Sequence, residues 1–352
     1  MTAIPTLADL TTLRIGGPAG EVVLADDEAT LVEAVRAADA AGIPALVVAG
    51  GSNLVVGDGG YPGTVVLVRT SGVTTEADSC GGAWVTAAAG EPWDALVARA
   101  VTERWAGIEA LSGIPGSVGA TPIQNVGAYG QEIADVVARV RTWDRVDGVQ
   151  RTFAHADCGF AYRTSRFKRQ PDRYLILDVT LQLRLSPISG PLRYGELARR
   201  LDVPEQGRAG LDEVRAAVLA LRAAKGMVLD DADHDTWSVG SFFTNPILTP
   251  EVAALLPAEA PRYDTGDDRV KTSAAWLIEH SGIVRGQTSE SGLAAVSAKH
   301  TLALTNRGGA SAADVLELAR TVRDRVSADF GIELEAEPTL VGCTLEATSG
   351  SS

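Results

Sequence analysis

A serine followed by two aromatic rings is the residue of this sequence best suited to deliver a proton. It lies in Gly240-Ser241-Phe242-Phe243, with Asn245-Pro246 shortly after. Only 5% of the chain is aromatic, and rings placed here can screen the hydroxyl from water, so that it transfers one proton at a defined position. Phenylalanine pairs usually belong to a hydrophobic core, and a packing role for this segment therefore stays open.

Arg163 and Glu337 are the charged residues that can assist such a step. Arg163 follows an apolar stretch, 160–162, which favours a fixed guanidinium that binds an oxyanion through two hydrogen bonds. The further basic residues between 166 and 173 are expected on a solvated strand edge. Apolar residues alternate with glutamates over 332–337, which predicts a half-buried strand ended by Pro338. That alternation places Glu337 on the face of the other glutamates, so a surface role is an alternative.

Two glycine-rich tracts can bind phosphate through backbone N–H groups. They are Gly50-Gly51-Ser52-Asn53 and Gly113-Ile114-Pro115-Gly116-Ser117-Val118-Gly119. Successive turn amides form anion-binding nests that need no positive side chain, which suits an acidic protein. Glycine-rich segments are usually only turns, and neither tract alone identifies a ligand.

Several common sites are excluded. Pro62 stands where the third glycine of a dinucleotide fingerprint would be, and no glycine-lysine pair forms a phosphate loop. The segment 230–235 resembles a calcium loop, but Thr236 replaces the glycine required for its turn, which favours a solvated acidic loop. Four histidines at 155, 234, 280 and 300 share no ligand spacing. We therefore expect no metal site.

Charge and cysteine content restrict the partners and the compartment. With 31 basic and 45 acidic side chains the net charge is −14, which opposes binding to nucleic acid or to anionic lipid. Cys80, Cys158 and Cys343 are widely spaced, which argues against a disulfide framework. Neither a signal peptide nor a long apolar span is apparent. We expect a cytoplasmic protein.

The periodicity of the chain predicts elements that can hold these residues. A strand, a helix and a second strand are expected within 22–48, followed by strands at 54–56 and 64–68. The tract 111–130 is too rich in glycine and proline for a helix and indicates a binding loop. Amphipathic helices are expected over 211–225, ended by Gly226, and from the capping box at Ser311 to about residue 330. Lys225 falls on the apolar stripe of the first of these.

Taken together, these motifs resemble the UDP-N-acetylenolpyruvoylglucosamine reductase (MurB) family. The resemblance extends over nearly the whole chain, and its motifs occur in the family's order. The matching segments are 11–18, 49–56, 114–130, 160–168, Lys225, 240–246, 274–279 and 334–337.

The resemblance implies an α+β protein with FAD-binding domains of the vanillyl-alcohol-oxidase (PCMH-like) type and a smaller α+β substrate-binding domain. The expected division is 1–69 and 70–210 for the two FAD-binding subdomains and 211–330 for the substrate domain, with the tail 331–352 packing back near the flavin. The residues that it assigns to FAD are Ala49, Gly50, Gly51, Ser52, Asn53, Leu54, Gly113, Ile114, Pro115, Gly116, Ser117, Gly119, Ala120, Gln124, Asn125, Gly127 and Ala128.

It also implies an oxidoreductase of peptidoglycan precursor synthesis, in which NADPH reduces FAD and hydride then passes to C3 of a UDP-linked enolpyruvyl-N-acetylglucosamine. Ser241 is the implied proton donor to C2, and Arg163 and Glu337 are implied to stabilise the carboxylate and the enolate. The implied substrate contacts are Tyr162, Tyr194, Lys225 and Asn245. We expect a monomer or weak dimer.

The chain departs from the family pattern at Thr244, at 227–229 and at 338–339. Two other readings are a different FAD-dependent oxidoreductase of this fold and a noncatalytic flavin-binding subunit. Neither would require Arg163, Ser241 and Glu337 together.

Overall fold

The computed structural model of the chain describes residues 6–78 and 81–346. Cys80 and the low-complexity end at 348–352 lie outside the described residues. Backbone contacts divide the chain into two compact units. Unit 1 comprises the described parts of 1–19, 51–61 and 229–352, and unit 2 those of 20–50 and 62–228. The division into three domains stays a prediction.

The first half of the chain contains most of the strands. In order, these elements are β1 (Ala19–Ala25), α1 (Glu28–Ala41), β2 (Ala45–Val48), β3 (Leu54–Val56), β4 (Tyr61–Val68), β5 (Val73–Asp78), β6 (Gly82–Ala88), α2 (Trp93–Thr102), β7 (Trp105–Ala106), β8 (Gly127–Ala128), β9 (Gln131–Glu132), β10 (Val137–Asp144), β11 (Val149–Ala154), α3 (Arg166–Arg169) and β12 (Tyr174–Leu185).

The second half is richer in helices. Its elements are α4 (Gly195–Arg200), α5 (Leu211–Ala224), β13 (Ile247–Leu248), α6 (Pro250–Leu255), β14 (Tyr263–Asp264), β15 (Val270–Lys271), α7 (Ala274–His280), β16 (Ala294–Val296), β17 (Leu304–Asn306), α8 (Ala312–Phe330) and β18 (Thr339–Val341). Short 3-10 helices occupy Leu7–Leu10, Glu109–Leu111, Val118–Ala120, Ile133–Asp135, His155–Asp157 and His234–Thr236.

Besides the two-stranded pair β8-β9, unit 2 is built on two main sheets. The smaller has the order β1-β4-β2, with β2 and β4 parallel, and the larger has the order β11-β10-β12-β6-β5, with β7 paired to β12. The larger sheet is antiparallel throughout. Side chains of α2 such as Trp93 and Val97 are fully buried together with Val85 and Leu181 of this sheet. This core supports the loop 111–130 that follows α2 and β7.

Helix α1 confirms the predicted strand-helix-strand segment. Leu31, Val35 and Ala38 are its buried face. The Asp27 carboxylate accepts a hydrogen bond from the amide of Thr30 at 2.7 Å, and Gly42 ends the helix with φ 66°. Although β1 and β2 flank α1 along the chain, β4 lies between them in the sheet.

Unit 1 packs α7 and α8 onto small sheets. Strand β3 pairs in parallel with β18, β16 pairs with β17, and the order β13-β15-β14 forms the third sheet. Helix α8 confirms the prediction from the sequence: Ser311 and Asp314 form its capping box and Gly331 ends it with φ 67°. Val315, Leu318 and Val322 of α8 are buried against Leu277 and Ile278 of α7.

The predicted strand over 332–337 is wrong. Ile332 and Leu334 are buried, and Glu333 and Glu335 are exposed, as alternation requires. Within this segment, however, only Ala336 forms a β-bridge, to Phe243. An alternating pattern reports burial on one side, whereas a strand also requires a continuous backbone partner. Regular pairing begins after Pro338, in β18.

Candidate active site

The two glycine-rich tracts approach each other at Gly50 and Gly116. A Cβ atom placed on Gly50 would lie 2.6 Å from the Cα of Gly116, which is closer than real contacts allow. Gly116 has φ 115°, a conformation that side-chain-bearing residues rarely adopt. The loop after β2 and the loop after the 3-10 helix Glu109–Leu111 therefore meet backbone to backbone within unit 2.

Ser117 next to this contact has a buried hydroxyl that needs a partner. The residue is 4% exposed, and its Oγ forms no hydrogen bond to any described residue. Its neighbours are fixed, because the amide of Trp93 donates to the Gly116 carbonyl at 3.0 Å and that of Val118 donates to the Glu91 carbonyl at 2.9 Å. A buried, unsatisfied hydroxyl beside two closely packed glycines fits an acceptor such as a phosphate oxygen.

Arg222 is a charged residue beside this loop that the sequence reasoning missed. It lies on α5, and its Nε atom is 3.4 Å from the Cβ position of Gly113. Nε is buried and has no hydrogen-bond partner among the described residues, while Nη2 donates to the carbonyl of Met227 at 2.8 Å. Burial lowers the pKa of the guanidinium. Its position four residues after Val218, on the apolar stripe of the predicted helix, was the available signal.

The predicted FAD contacts are divided between the two units. Ala49, Gly50 and the residues from Gly113 to Ala128 belong to unit 2, whereas Gly51, Ser52, Asn53 and Leu54 belong to unit 1. In unit 1 the Asn53 carbonyl accepts a hydrogen bond from the amide of Thr339 at 2.9 Å, and Leu54 begins β3. The assignment of these residues to FAD stays a prediction.

Asn125 holds the turn that carries Arg163. The amide group of this buried side chain donates to Glu132 Oε2 at 2.7 Å and to the Ala161 carbonyl at 3.1 Å. Backbone hydrogen bonds between Ala161 and Thr164, in both directions, close a two-residue turn with Tyr162 and Arg163 at its tip. Asn125, predicted as a cofactor contact, thus also supports the neighbouring turn.

Arg163 has the fixed guanidinium that the sequence predicts. Its Nη2 donates to the Gly127 carbonyl at 2.8 Å, and the guanidinium carbon lies 5.4 Å from the centre of the Tyr162 ring. The backbone of Arg163 is left-handed, with φ 50°. A non-glycine residue rarely takes this conformation, and it occurs preferentially at functional sites.

The predicted solvated strand edge over 166–173 is wrong. These residues form α3 and the turn before β12. Arg166 and Arg169 donate to the carbonyls of Asp157 and Gly159, and Arg173 bonds to the buried carboxylate of Asp144. Because each guanidinium has a local partner, these charges fix loops of unit 2.

Ser241 and Glu337 lie on neighbouring segments of unit 1. Ser241 forms a β-bridge to Ala303, and the amide of Phe242 donates to the Leu302 carbonyl at 2.7 Å. On the other side, the amide of Glu337 donates to the Phe242 carbonyl at 2.8 Å. Phe242 is fully buried and Phe243 nearly so, whereas Ser241 and Glu337 are only partly buried. The rings are core residues, and the serine and the glutamate stay accessible.

Asn306 and Thr12 fix the chain before Ser241, and the sequence reasoning missed both. Thr12 Oγ1 donates to the Ser238 carbonyl at 2.7 Å. The buried Asn306 side chain donates to the carbonyls of Leu13 and Arg14, each at 3.1 Å, and its backbone amide donates to Trp237. Asn306 Oδ1 in turn accepts from three successive amides at 308–310. A buried amide with all its groups satisfied is a specific support for this segment.

Two predicted substrate residues lie in one cluster of unit 2, which we call the Lys225 cluster: Tyr129, Tyr194, Glu196 and Lys225. Helix α5 ends at Ala224, one residue before the predicted end, with Lys225 as its C-cap and Gly226 at φ 64°. The Lys225 ammonium lies 2.7 Å from Glu196 Oε2 and 5.8 Å from the centre of the Tyr129 ring, which meets the Tyr194 ring edge-on. Tyr194 and Lys225 are therefore neighbours.

The fourth predicted substrate residue, Asn245, lies in unit 1, where its side chain contacts the first residue of α7. Its Oδ1 accepts a hydrogen bond from the amide of Ala274 at 2.9 Å. This contact connects the end of the Ser241 segment to the first turn of α7. A contact of Asn245 with substrate stays a prediction.

The acidic loop 230–235 is held by basic side chains. Asp231 pairs with Arg14, Asp233 with Lys299, and Asp235 with Arg307 at 3.1 Å. Residues 230–232 are exposed, as the predicted solvated loop requires, whereas Asp235 is buried. In the described parts of the chain no group of histidine, cysteine and acidic side chains has the arrangement of a metal site.

No helix of the described chain is long and apolar enough to span a membrane. Of the described cysteines, Cys158 is buried, and burial raises the pKa of its thiol to about 12. Such a thiol stays protonated at neutral pH, which makes it unreactive.

Comparison with known proteins gives two family matches that together extend over both units. Residues 19–153 match the FAD binding domain, and residues 231–341 match the C-terminal domain of UDP-N-acetylenolpyruvoylglucosamine reductase.

Relatives that align with 96% of this chain are UDP-N-acetylenolpyruvoylglucosamine reductases. The chain is 56% identical to UDP-N-acetylenolpyruvoylglucosamine reductase of Cutibacterium acnes over 340 residues, which is 96% of this chain and 90% of the relative. The enzyme of Salinispora arenicola is 53% identical over 347 residues, with 96% and 95% covered. A crystal structure of the Thermus caldophilus enzyme superimposes with a TM-score of 0.65 at 26% identity and covers 96% of this chain and 97% of its own. The predicted α+β fold with a FAD-binding domain is thereby confirmed.

Proposed function

The chain belongs to the UDP-N-acetylenolpyruvoylglucosamine reductase family, and from that premise we propose how its residues carry out the reaction. The protein is an FAD-dependent oxidoreductase that reduces UDP-linked enolpyruvyl-N-acetylglucosamine to UDP-N-acetylmuramate in peptidoglycan precursor synthesis. NADPH is the electron donor. The roles of individual residues below are our proposal.

The contact between Gly50 and Gly116, with Ser117 beside it, would hold the pyrophosphate of FAD. Support comes from the close backbone approach, which leaves no room for side chains, and from the buried Ser117 hydroxyl without a partner among the described residues. Backbone amides and a hydroxyl bind phosphate oxygens without adding positive charge. When bound, FAD supplies the hydride that is added to C3 of the enolpyruvyl group.

Ser241 would donate the proton that completes the reduction at C2. Addition of hydride at C3 leaves negative charge at C2, and the base so formed is strong enough to take a proton from a serine hydroxyl. Ser241 is fixed by backbone bonds on both sides of the following residue, so its hydroxyl is presented from a rigid segment. A positioned proton donor contributes on the order of 10²–10⁴-fold in rate.

Arg163 and Glu337 would stabilise the charge that develops in the substrate carboxylate and enolate. The Arg163 guanidinium is oriented by the Gly127 carbonyl and by the Tyr162 ring, so binding a carboxylate costs it little reorganisation. Glu337 is attached through its backbone to the residue after Ser241. For Glu337 to act on an enolate it must carry a proton.

Tyr162, Tyr194, Lys225 and Asn245 would bind the rest of the substrate, with Tyr194 and Lys225 at the diphosphate. The membership of Tyr194 and Lys225 in the Lys225 cluster supports the assignment of these two residues. A cytoplasmic location and a monomeric or weakly dimeric state belong to the same proposal, as does the absence of nucleic-acid and membrane partners, for which the net charge of −14 is the support.

The test separates the two half-reactions in the Ser241→Ala variant. Anaerobic mixing with NADPH should bleach the flavin at the wild-type rate, and subsequent addition of the enolpyruvyl substrate should restore its colour at least about a hundredfold more slowly. The matched control is Thr244→Val, which removes a hydroxyl three residues away in the same segment. Equal loss of both half-reactions in Ser241→Ala would assign the serine a structural role and refute the proposal.

A further inference from the structure

The Glu196 carboxylate forms an ion pair with Lys225, the lysine assigned to the substrate. Its Oε2 atom lies 2.7 Å from Lys225 Nζ, and the two side chains are 35% and 29% exposed. Glu196 is the second residue of α4, and Tyr194 stands immediately before that helix. The ion pair therefore connects the start of α4 to the end of α5.

The negative charge opposite Lys225 in this cluster comes from Glu196 and not from the neighbouring phenol. Burial raises the pKa of Tyr129, against the opposing effect of Lys225, so the Tyr129 hydroxyl stays neutral at pH 7. Its ring, 5.8 Å from Lys225 Nζ, offers the ammonium a π face. Lys225 is thus held by one carboxylate and one ring.

An anion that binds Lys225 more strongly can easily displace the Glu196 carboxylate from this pair. Ion pairs that are this exposed change an equilibrium by less than about fivefold, because water screens the charges and ordering the side chains costs entropy. A diphosphate carries two charges and several acceptor oxygens, and its hydrogen bonds to an ammonium are correspondingly stronger. The partial exposure of both side chains gives an incoming anion access to the pair.

We propose that Glu196 is the counter-ion that Lys225 exchanges for the diphosphate of the UDP-linked substrate. The inference rests on the proposed function, which assigns Lys225 to that diphosphate. Glu196 keeps the ammonium positioned before substrate binds, and it lowers the affinity for the anion because its charge must be displaced. The exchange also removes the bond between α5 and the helix that follows Tyr194.

Calorimetric titration of the oxidised holoenzyme with UDP tests the exchange. Glu196→Gln removes the charge and keeps an oxygen that can accept from Lys225, and it should bind UDP about two- to fivefold more tightly than the wild type. Lys225→Met should bind UDP more weakly. Adding Glu196→Gln to Lys225→Met should give no further gain, since the competition requires the ammonium.

A matched control is Glu33→Gln, which removes the same charge from the exposed pair with Arg36 in unit 2. If Glu33→Gln tightens UDP binding as much as Glu196→Gln does, the effect comes from net charge and the inference is overturned. No gain in Glu196→Gln, or a gain that persists without Lys225, overturns it as well. Should Glu196→Gln fail to retain FAD, Glu196→Ala replaces it with the same expected gain.

The outcomes also distinguish this inference from the proposed function. Unchanged UDP affinity in Lys225→Met would refute the assignment of Lys225 to the diphosphate, and the inference with it. Weaker binding in Lys225→Met without a gain in Glu196→Gln would refute the inference alone. The role of Ser241 is tested separately, by the reoxidation of the flavin.

Discussion

The amide of Glu337 donates a hydrogen bond to the carbonyl oxygen of Phe242 at 2.8 Å. Phe242 directly follows Ser241, and its ring is fully buried in the core of unit 1. The buried ring therefore anchors both a hydroxyl and a carboxyl group, one on each segment.

We predict that Glu337→Gln slows the reoxidation of reduced flavin by the enolpyruvyl substrate on the order of 10²-fold or more, because the amide cannot exchange a proton. Reduction of the flavin by NADPH should be unchanged in stopped-flow absorbance. Glu335→Gln is the matched control, since Glu335 is exposed in the same segment. A similar loss in both variants would contradict a chemical role for Glu337.

Gly50→Ala should impair FAD binding, because the added methyl group would meet the Gly116 backbone at 2.6 Å. Overpacking of this kind costs about 1–3 kcal/mol, which corresponds to a loss of FAD affinity of about five- to 150-fold. The ratio of flavin to protein absorbance after purification measures it. Gly59→Ala is the control, since nothing lies within 4 Å of its Cβ position. Normal FAD content in Gly50→Ala would show that the two tracts do not form the cofactor site.

Asn306→Asp should destabilise the holoenzyme by about 1–3 kcal/mol, because a carboxylate cannot donate to the buried carbonyls of Leu13 and Arg14. Because the asparagine and aspartate side chains have nearly the same shape, the expected loss of stability is not a loss of packing. The midpoint of chemical denaturation, followed by tryptophan fluorescence, gives the change. An unchanged midpoint would mean that Asn306 does not support the segment before Ser241.

Asp144→Asn should reduce stability most at neutral pH. Burial alone would raise the pKa of Asp144, but hydrogen bonds from Arg173 and Arg151 outweigh it and hold the pKa well below its usual range. A carboxyl whose pKa is lowered by folding stabilises the protein above its unfolded pKa of about 3.9, and this contribution is lost as the pH falls through the folded value.

The difference in unfolding free energy between the wild type and Asp144→Asn should therefore be about 1–3 kcal/mol at pH 7 and should shrink below about pH 4. Urea denaturation at several pH values measures it. Asp172→Asn removes the same charge from an exposed position and should have little effect at any pH. A pH-independent difference for Asp144→Asn would contradict the assigned ion pairs.

Features that depend on neighbours along the chain were determined by the sequence itself. The capping box at Ser311 correctly predicted the start of α8, its end was correctly expected at about residue 330, and the periodicity of 211–225 predicted α5 to within one residue. The order of short motifs identified the family, since each motif is a local pattern. Helices and caps are predictable because their hydrogen bonds join residues only three or four positions apart.

The tertiary structure decided which of these motifs meet. Alternation over 332–337 suggested a strand, yet the segment has one bridge, because a ladder requires a partner that the pattern does not reveal. Gly50 meets Gly116, Phe242 binds Glu337, and Glu196 pairs with Lys225 across 29 positions of sequence. Such contacts depend on the path of the whole chain through its cores. Local periodicity carries no information about that path. The sequence alone therefore predicted which groups are reactive, and the tertiary fold determined which residues contact them.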